Sequence, residues 1–147
     1  KGRLMQKRQV KIEIRPGIEG GQLIKVKGMG EAGENNAGNG DLYVRVLIKA
    51  HSDFVRKGDD LYSVVEVRFW QAVLGDHMNV NVIDGSAELN IPSGVESHAM
   101  LRLSGKGMPK LGSNNRGDHY VRIVVKTPKK LSKRAKELLE ELKKEEI

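Results

Sequence analysis

The sequence predicts a mainly β chain, built from two copies of one small β-unit in tandem and closed by a short C-terminal helix. Three observations predict it. One stretch of the chain occurs twice, its strands alternate polar with apolar residues, and sustained helical spacing is confined to the C-terminal end. The repeat is the strongest of these. Ile14–Lys49 reads IRPGIEGGQLIKVKGMGEAGENNAGNGDLYVRVLIK, and Ile91–Lys126 reads IPSGVESHAMLRLSGKGMPKLGSNNRGDHYVRIVVK. Gly17 falls on Gly94, Gly28 and Gly30 on Gly105 and Gly107, Gly40-Asp41 on Gly117-Asp118, and Tyr43-Val44-Arg45 on Tyr120-Val121-Arg122. Every pair stands 77 positions apart, so no gap is needed even through a Gly/Asn-rich loop.

Taken in order, Gln9–Arg15 alternates Val10, Ile12 and Ile14 with Lys11, Glu13 and Arg15, the pattern of a half-buried strand. Pro16-Gly17 ends it, because proline donates nothing to a ladder and glycine permits a turn. Gln22–Lys27 makes a second strand with Ile24 and Val26 on one face, and Gly28–Gly40, lacking an apolar face, reads as a mobile loop. Asp41–Lys49 is a third strand. Polar and turn residues over Ala50–Asp60 mark the boundary between the copies. Leu61–Phe69 resumes alternation, with Leu61, Ser63, Val65, Val67 and Phe69 on one face. Trp70–Leu74, bulky and followed by glycine, predicts one or two helical turns. His77–Ile83 and Ser86–Ile91 flank Asp84-Gly85, a strong hairpin turn signal. Met100–Ser104 and His119–Lys126 are the strands of the second copy.

After Thr127-Pro128, Ser132 is a candidate N-cap, and Ala135, Leu138, Leu139 and Leu142 share one helical face. Lys133 and Arg134 in the first turn, and Glu145 and Glu146 in the last, oppose the helix dipole. So short a helix needs a surface to dock on. That surface is either its own unit or a second copy of the chain, and spacing alone leaves both open.

Composition narrows the function. At 147 residues the chain fits one domain or two small ones, and small β-modules bury little surface alone. No apolar run approaches the ~20 residues of a membrane span. Cysteine is absent, which removes disulfides, thiolate catalysis and Cys-based zinc sites from this chain and fits a reducing, cytoplasmic compartment. The net charge of +7 favours a polyanionic partner, either nucleic acid or an acidic protein surface. The lysines and arginines alternate with apolar residues, however, as on a solvated basic face. Aromatics make up 4% of residues, too few for stacking along single strands. A basic nucleic-acid-binding β-module is therefore the alternative and not the leading reading.

Catalytic chemistry finds little support. Gly28-Met29-Gly30-Glu31-Ala32-Gly33 fits the dinucleotide glycine pattern, but that pattern must open a helix, and here it leads to a strand. His51, His77, His98 and His119 lie far apart, with no metal-ligand spacing. Gly40-Asp41 and Gly117-Asp118 recur in both copies, which points to structure, since an active site is seldom built twice. The chain reads as a non-enzyme. Aliphatic strands with open edges suit binding instead, in which an extended peptide adds as a further strand and sets alternate side chains in apolar pockets.

Several motifs together resemble the C-terminal region of DnaJ-type co-chaperones of the zinc-containing class. They are Val10–Gly17 (VKIEIRPG), Gly28-Met29-Gly30-Glu31-Ala32-Gly33, Gly40–Val44 (GDLYV), His51–Tyr62 (HSDFVRKGDDLY), Phe69–Gly75 (FWQAVLG), Asp84-Gly85, Ile91–Gly94 (IPSG), Gly105–Pro109 (GKGMP) and Arg116-Gly117-Asp118. The resemblance covers nearly the whole chain in order. It implies two similar small β-sandwich domains in tandem, here residues 1–52 and 53–128, followed by a dimerisation helix over 129–147. Lys1-Gly2-Arg3 is similar to the continuation after the zinc module of that class, so the chain reads as a fragment whose first β-domain lacks strands from upstream. Zinc is expected in that missing module and no cofactor in this fragment.

The implied activity is to hold non-native polypeptide and deliver it to a DnaK-type chaperone. The resemblance places Phe54, from the H-x-x-F-x-R-x-G motif, at the peptide pocket. Ile12, Ile14, Ile24 and Val26 are the candidates for the adjoining apolar face. Arg15, Lys25 and Lys27 are candidates for meeting the acidic tail of the partner chaperone. The same resemblance assigns Leu138, Leu139 and Leu142 to a homodimer contact, with neither membrane nor nucleic acid as partner.

Overall fold

In a computed structural model of the chain, residues 7–33 and 38–147 are described. Lys1-Gly2-Arg3 and the centre of the first glycine loop, Glu34–Ala37, lie outside the described residues. The fold is mainly β with a short C-terminal helix. In chain order the elements are β1 (Leu23–Val26), β2 (Leu42–Arg45), β3 (Val55–Lys57), β4 (Asp60–Arg68), α1 (Phe69–Leu74), β5 (Asp76–Val82), β6 (Gly85–Ile91), β7 (Met100–Leu103), β8 (His119–Lys126) and α2 (Lys133–Lys143). They form a β1-β2 sheet, a four-stranded sheet in the order β3-β4-β8-β7, and a β5-β6 sheet. None of the described helices is long and apolar enough to cross a membrane.

The chain divides into two compact units. One holds the described residues up to Leu61 together with Ser104–His119, and the other holds Tyr62–Leu103 with Tyr120–Ile147. The second unit contains the main core. Val67 of β4, Ala72 of α1, Val80 of β5, Leu89 and Ile91 of β6, and Val121 and Ile123 of β8 cluster there, flanked by Leu101 and Leu103 of β7. Alternate residues of each strand point one way, so the β5-β6 hairpin closes as a second layer over one face of β4, β8 and β7. Tyr62 and Tyr120 have the opposite parity and stack with ring centroids 5.2 Å apart.

The sequence repeat is a structural repeat. Gly28 N–H donates to Asp41 Oδ1 at 2.9 Å, and Gly105 N–H to Asp118 Oδ1 at 2.9 Å. Gly30 N–H donates to Gly40 O and Gly107 N–H to Gly117 O, both at 2.8 Å. The aspartates of the recurring Gly-Asp pair thus close each loop onto its own strand. Glycine is required at the crossing point, since a Cβ on either Gly30 or Gly107 would stand 2.6 Å from the carbonyl oxygen of Asp41 or Asp118.

Four local expectations are corrected. Gln9–Arg15 is not a strand: no ladder partner lies beside it among the described residues, whereas the corresponding residues of the second copy pair with β5. The Ala50–Asp60 stretch contains β3, which its polar composition hides. The hairpin turn is Ile83-Asp84, because Val82 pairs with Gly85 and places that glycine in β6. The C-terminal helix stops at Lys143, so Glu145 and Glu146 lie beyond it and its last turn carries a favourable lysine. Ser132 does cap it, its hydroxyl accepting from Ala135 N–H at 3.0 Å.

Candidate functional site

The first unit carries a groove of about 480 Å³ along β1. Ile24 and Val26 project into it by strand alternation, and Ile12 and Ile18 reach it from the preceding segment. Lys11, Arg15, Lys25 and Lys27 stand around this apolar floor with Glu13, so among the described residues cations outnumber anions. Lys25 Nζ lies 3.2 Å from Asp41 Oδ2. That contact comes second to the Gly28 amide in holding the Asp41 carboxyl below the ordinary carboxylate range. Among the described residues, β1 is a terminal strand, hydrogen-bonded in its sheet to β2 alone.

The groove therefore gathers Ile12, Ile24, Val26, Arg15, Lys25 and Lys27 from the predicted set. Ile14 is 67% exposed and stands outside the lining, and Phe54 is elsewhere in the unit. The Phe54 ring is buried, 4.8 Å from the His51 ring and edge-on to His119 at 5.3 Å. His119 is fully buried, and burial pushes its pKa below the ordinary 6.5. Arg56, two residues beyond Phe54, donates to the carbonyls of Gly17 and Ile18 at 2.7 Å each. It ties the β3-β4 turn to the turn that carries Ile18. Sequence reasoning missed Ile18 and Leu111 as groove residues. Ile18 sits between turn residues, and Leu111 lies in a polar loop far along the chain, so neither carries a periodic signal.

In the second unit, Leu138, Leu139 and Leu142 of α2 line a groove of about 670 Å³ with Phe69, Trp70 and Leu131. No residue of α2 is buried, and Leu138, Leu142 and Trp70 remain 47%, 42% and 44% exposed. No three or more His, Cys, Asp or Glu side chains gather among the described residues to hold a metal ion, and the chain has no cysteine.

The family model described as DnaJ C terminal domain matches residues 3–128. The chain belongs to the DnaJ C-terminal domain family. It is similar to the chaperone protein DnaJ of Clostridioides difficile, 44% identical over 136 residues, covering 92% of this chain and 35% of that protein. It is also similar to the chaperone protein DnaJ of Brevibacillus choshinensis, 44% identical with 95% and 37% covered. The DnaJ of Acetobacter pasteurianus is 45% identical with 95% and 37% covered. The chain thus spans a little over a third of the length of these curated relatives. The match takes in both DnaJ-type copies, including the His51–Tyr62 segment and both glycine loops.

Proposed function

We propose that this chain binds extended, apolar-rich segments of non-native polypeptide along the β1 groove. In a full-length DnaJ-type protein it delivers them to a DnaK-type chaperone. One observation carries the reading. Ile12, Ile24 and Val26 form an open apolar floor, whereas their repeat counterparts Leu89, Leu101 and Leu103 pack in or against the second unit's core. An apolar face left open beside an unpaired strand edge suits a chain that arrives as an added strand. Arg15, Lys25 and Lys27 give the same groove a cationic rim for the acidic tail of the partner chaperone, and Ile14 and Phe54, which stand outside the lining, belong to the proposed peptide-binding set on the family resemblance alone.

A fluorescein-labelled peptide of alternating serine and leucine, followed by fluorescence anisotropy, tests the reading. Ile24→Asp puts an unpaired carboxylate on the groove floor and is expected to weaken binding by about tenfold or more. Phe54→Ala is expected to weaken it as well. Affinity unchanged in Ile24→Asp rules the groove out.

We further propose that the exposed α2 leucines pair with those of a second copy about a two-fold axis, which removes both stripes from water. Leu139→Asp is then expected to yield monomers whose units stay folded, read by sedimentation velocity and far-UV circular dichroism. A mutant that remains dimeric excludes the helix as the contact.

A further inference from the structure

Ser104–His119 is by sequence the glycine loop of the second copy, yet it belongs to the first compact unit, and its Leu111 lines the β1 groove beside Ile12, Ile24 and Val26. Backbone contacts fix this position. Gly17 approaches the loop so closely that a Cβ there would overlap Pro109 O and stand 2.9 Å from Leu111 N. Arg56 holds the Gly17–Ile18 turn by its two carbonyls, and Asp59 O accepts from Met108 N–H at 2.8 Å. Inside the loop, Pro109 bridges to Arg116, and Lys110 N–H donates to Asn115 O at 2.9 Å. These bonds are made without the Leu111 side chain, which stays 43% exposed among Lys110, Gly112, Ser113, Asn114 and Asn115. Nor does the repeat demand a leucine there, because the corresponding position of the first copy is Glu34. Leu111 is thus the residue by which this loop lines the groove.

We propose that Leu111 is a specificity-determining residue: it contacts the apolar side chain at one position of an extended peptide lying in the groove. The inference rests on the peptide-binding reading above. It predicts a selective effect, because a wall residue touches one peptide position while the floor touches the others.

The test uses the full 147-residue chain and the labelled serine–leucine peptide, together with versions in which each leucine in turn is alanine. Leu111→Ala is expected to lower affinity for the parent peptide by about 3- to 10-fold. It should also abolish the discrimination against one alanine version while preserving it against the others, with the thermal midpoint unchanged. Leu111→Met is expected to restore both affinity and discrimination. A uniform loss over all peptides, a loss that tracks a lowered thermal midpoint, or no loss at all overturns the role of Leu111. In each case the groove itself stands as long as Ile24→Asp still removes binding. If Ile24→Asp leaves binding intact, the groove and Leu111 fall together.

Discussion

Ile14 and Ile91 occupy the same step of the repeat, yet Ile14 is 67% exposed and Ile91 1%. The two copies share loops, turns and hydrogen bonds, down to the matched pairs Gly21 N–H to Val46 O and His98 N–H to Ile123 O. They differ in what lies across the apolar face. In the second copy the strand bearing Leu89 and Ile91 pairs with β5 along seven residues, and the hairpin fills the face. In the first, the same alternation has no ladder partner among the described residues, and its face is a groove. The repeat thus dictates local chemistry, while burial depends on the neighbours. One sequence pattern serves as core in one copy and as an accessible surface in the other.

The difference predicts unequal responses to equal substitutions. Ile91→Ala should cost about 2–5 kcal/mol by opening a cavity in the core, and Ile14→Ala about 0.5 kcal/mol or less. Urea denaturation measures both, and comparable losses would break the comparison. Gly107→Ala and Gly30→Ala each drive a Cβ into neighbouring backbone, and the Cβ at position 107 would also stand 2.6 Å from Asp59 O. Both should destabilise by about 1–3 kcal/mol, with Gly107 the worse.

The third pair separates the copies by pH. His119 stands at the repeat position of Leu42. Burial lowers the pKa of His119 below 6.5, so the unfolded chain takes up the proton first. Its contribution is complete above pH 6.5 and is lost as pH falls through the folded value. His119→Leu should flatten this part of the stability profile. Acid losses from Asp41 and Asp76, both held below the ordinary 3.8, remain at lower pH. The smallest effect concerns His98, which adopts φ 72° where the first copy has Gly21 at φ 87°. His98→Gly should relieve strain of about 1 kcal/mol, and Gly21→His should introduce it. Thermal denaturation reads both.

Much of this was legible in the sequence for a physical reason. Strand alternation put Ile24 and Val26 on one face, the Gly-Asp pairs marked loops that close on their own strands, and Ser132 marked the cap. These are local effects. What escaped depends on contacts distant in the chain. Val55–Lys57 reads as a polar boundary, because the value of Arg56 lies in the carbonyls of Gly17 and Ile18, almost forty residues back. Gln9–Arg15 has a strand's alternation without a partner to make it one. Leu111 carries no periodic signal and reaches the groove through contacts of its loop with Gly17 and Asp59, both far back in the chain.

The proposed peptide site requires the first copy's apolar face to be open to peptide and the second's to be closed. Amide chemical-shift mapping of the ¹⁵N-labelled chain, titrated with the serine–leucine peptide, tests it directly. Shifts are expected at Ile12, Ile24, Lys25, Val26 and Leu111, with the repeat counterparts Leu89, Leu101, Arg102 and Leu103 unmoved. Shifts concentrated at those counterparts, or equal in the two copies, would contradict it.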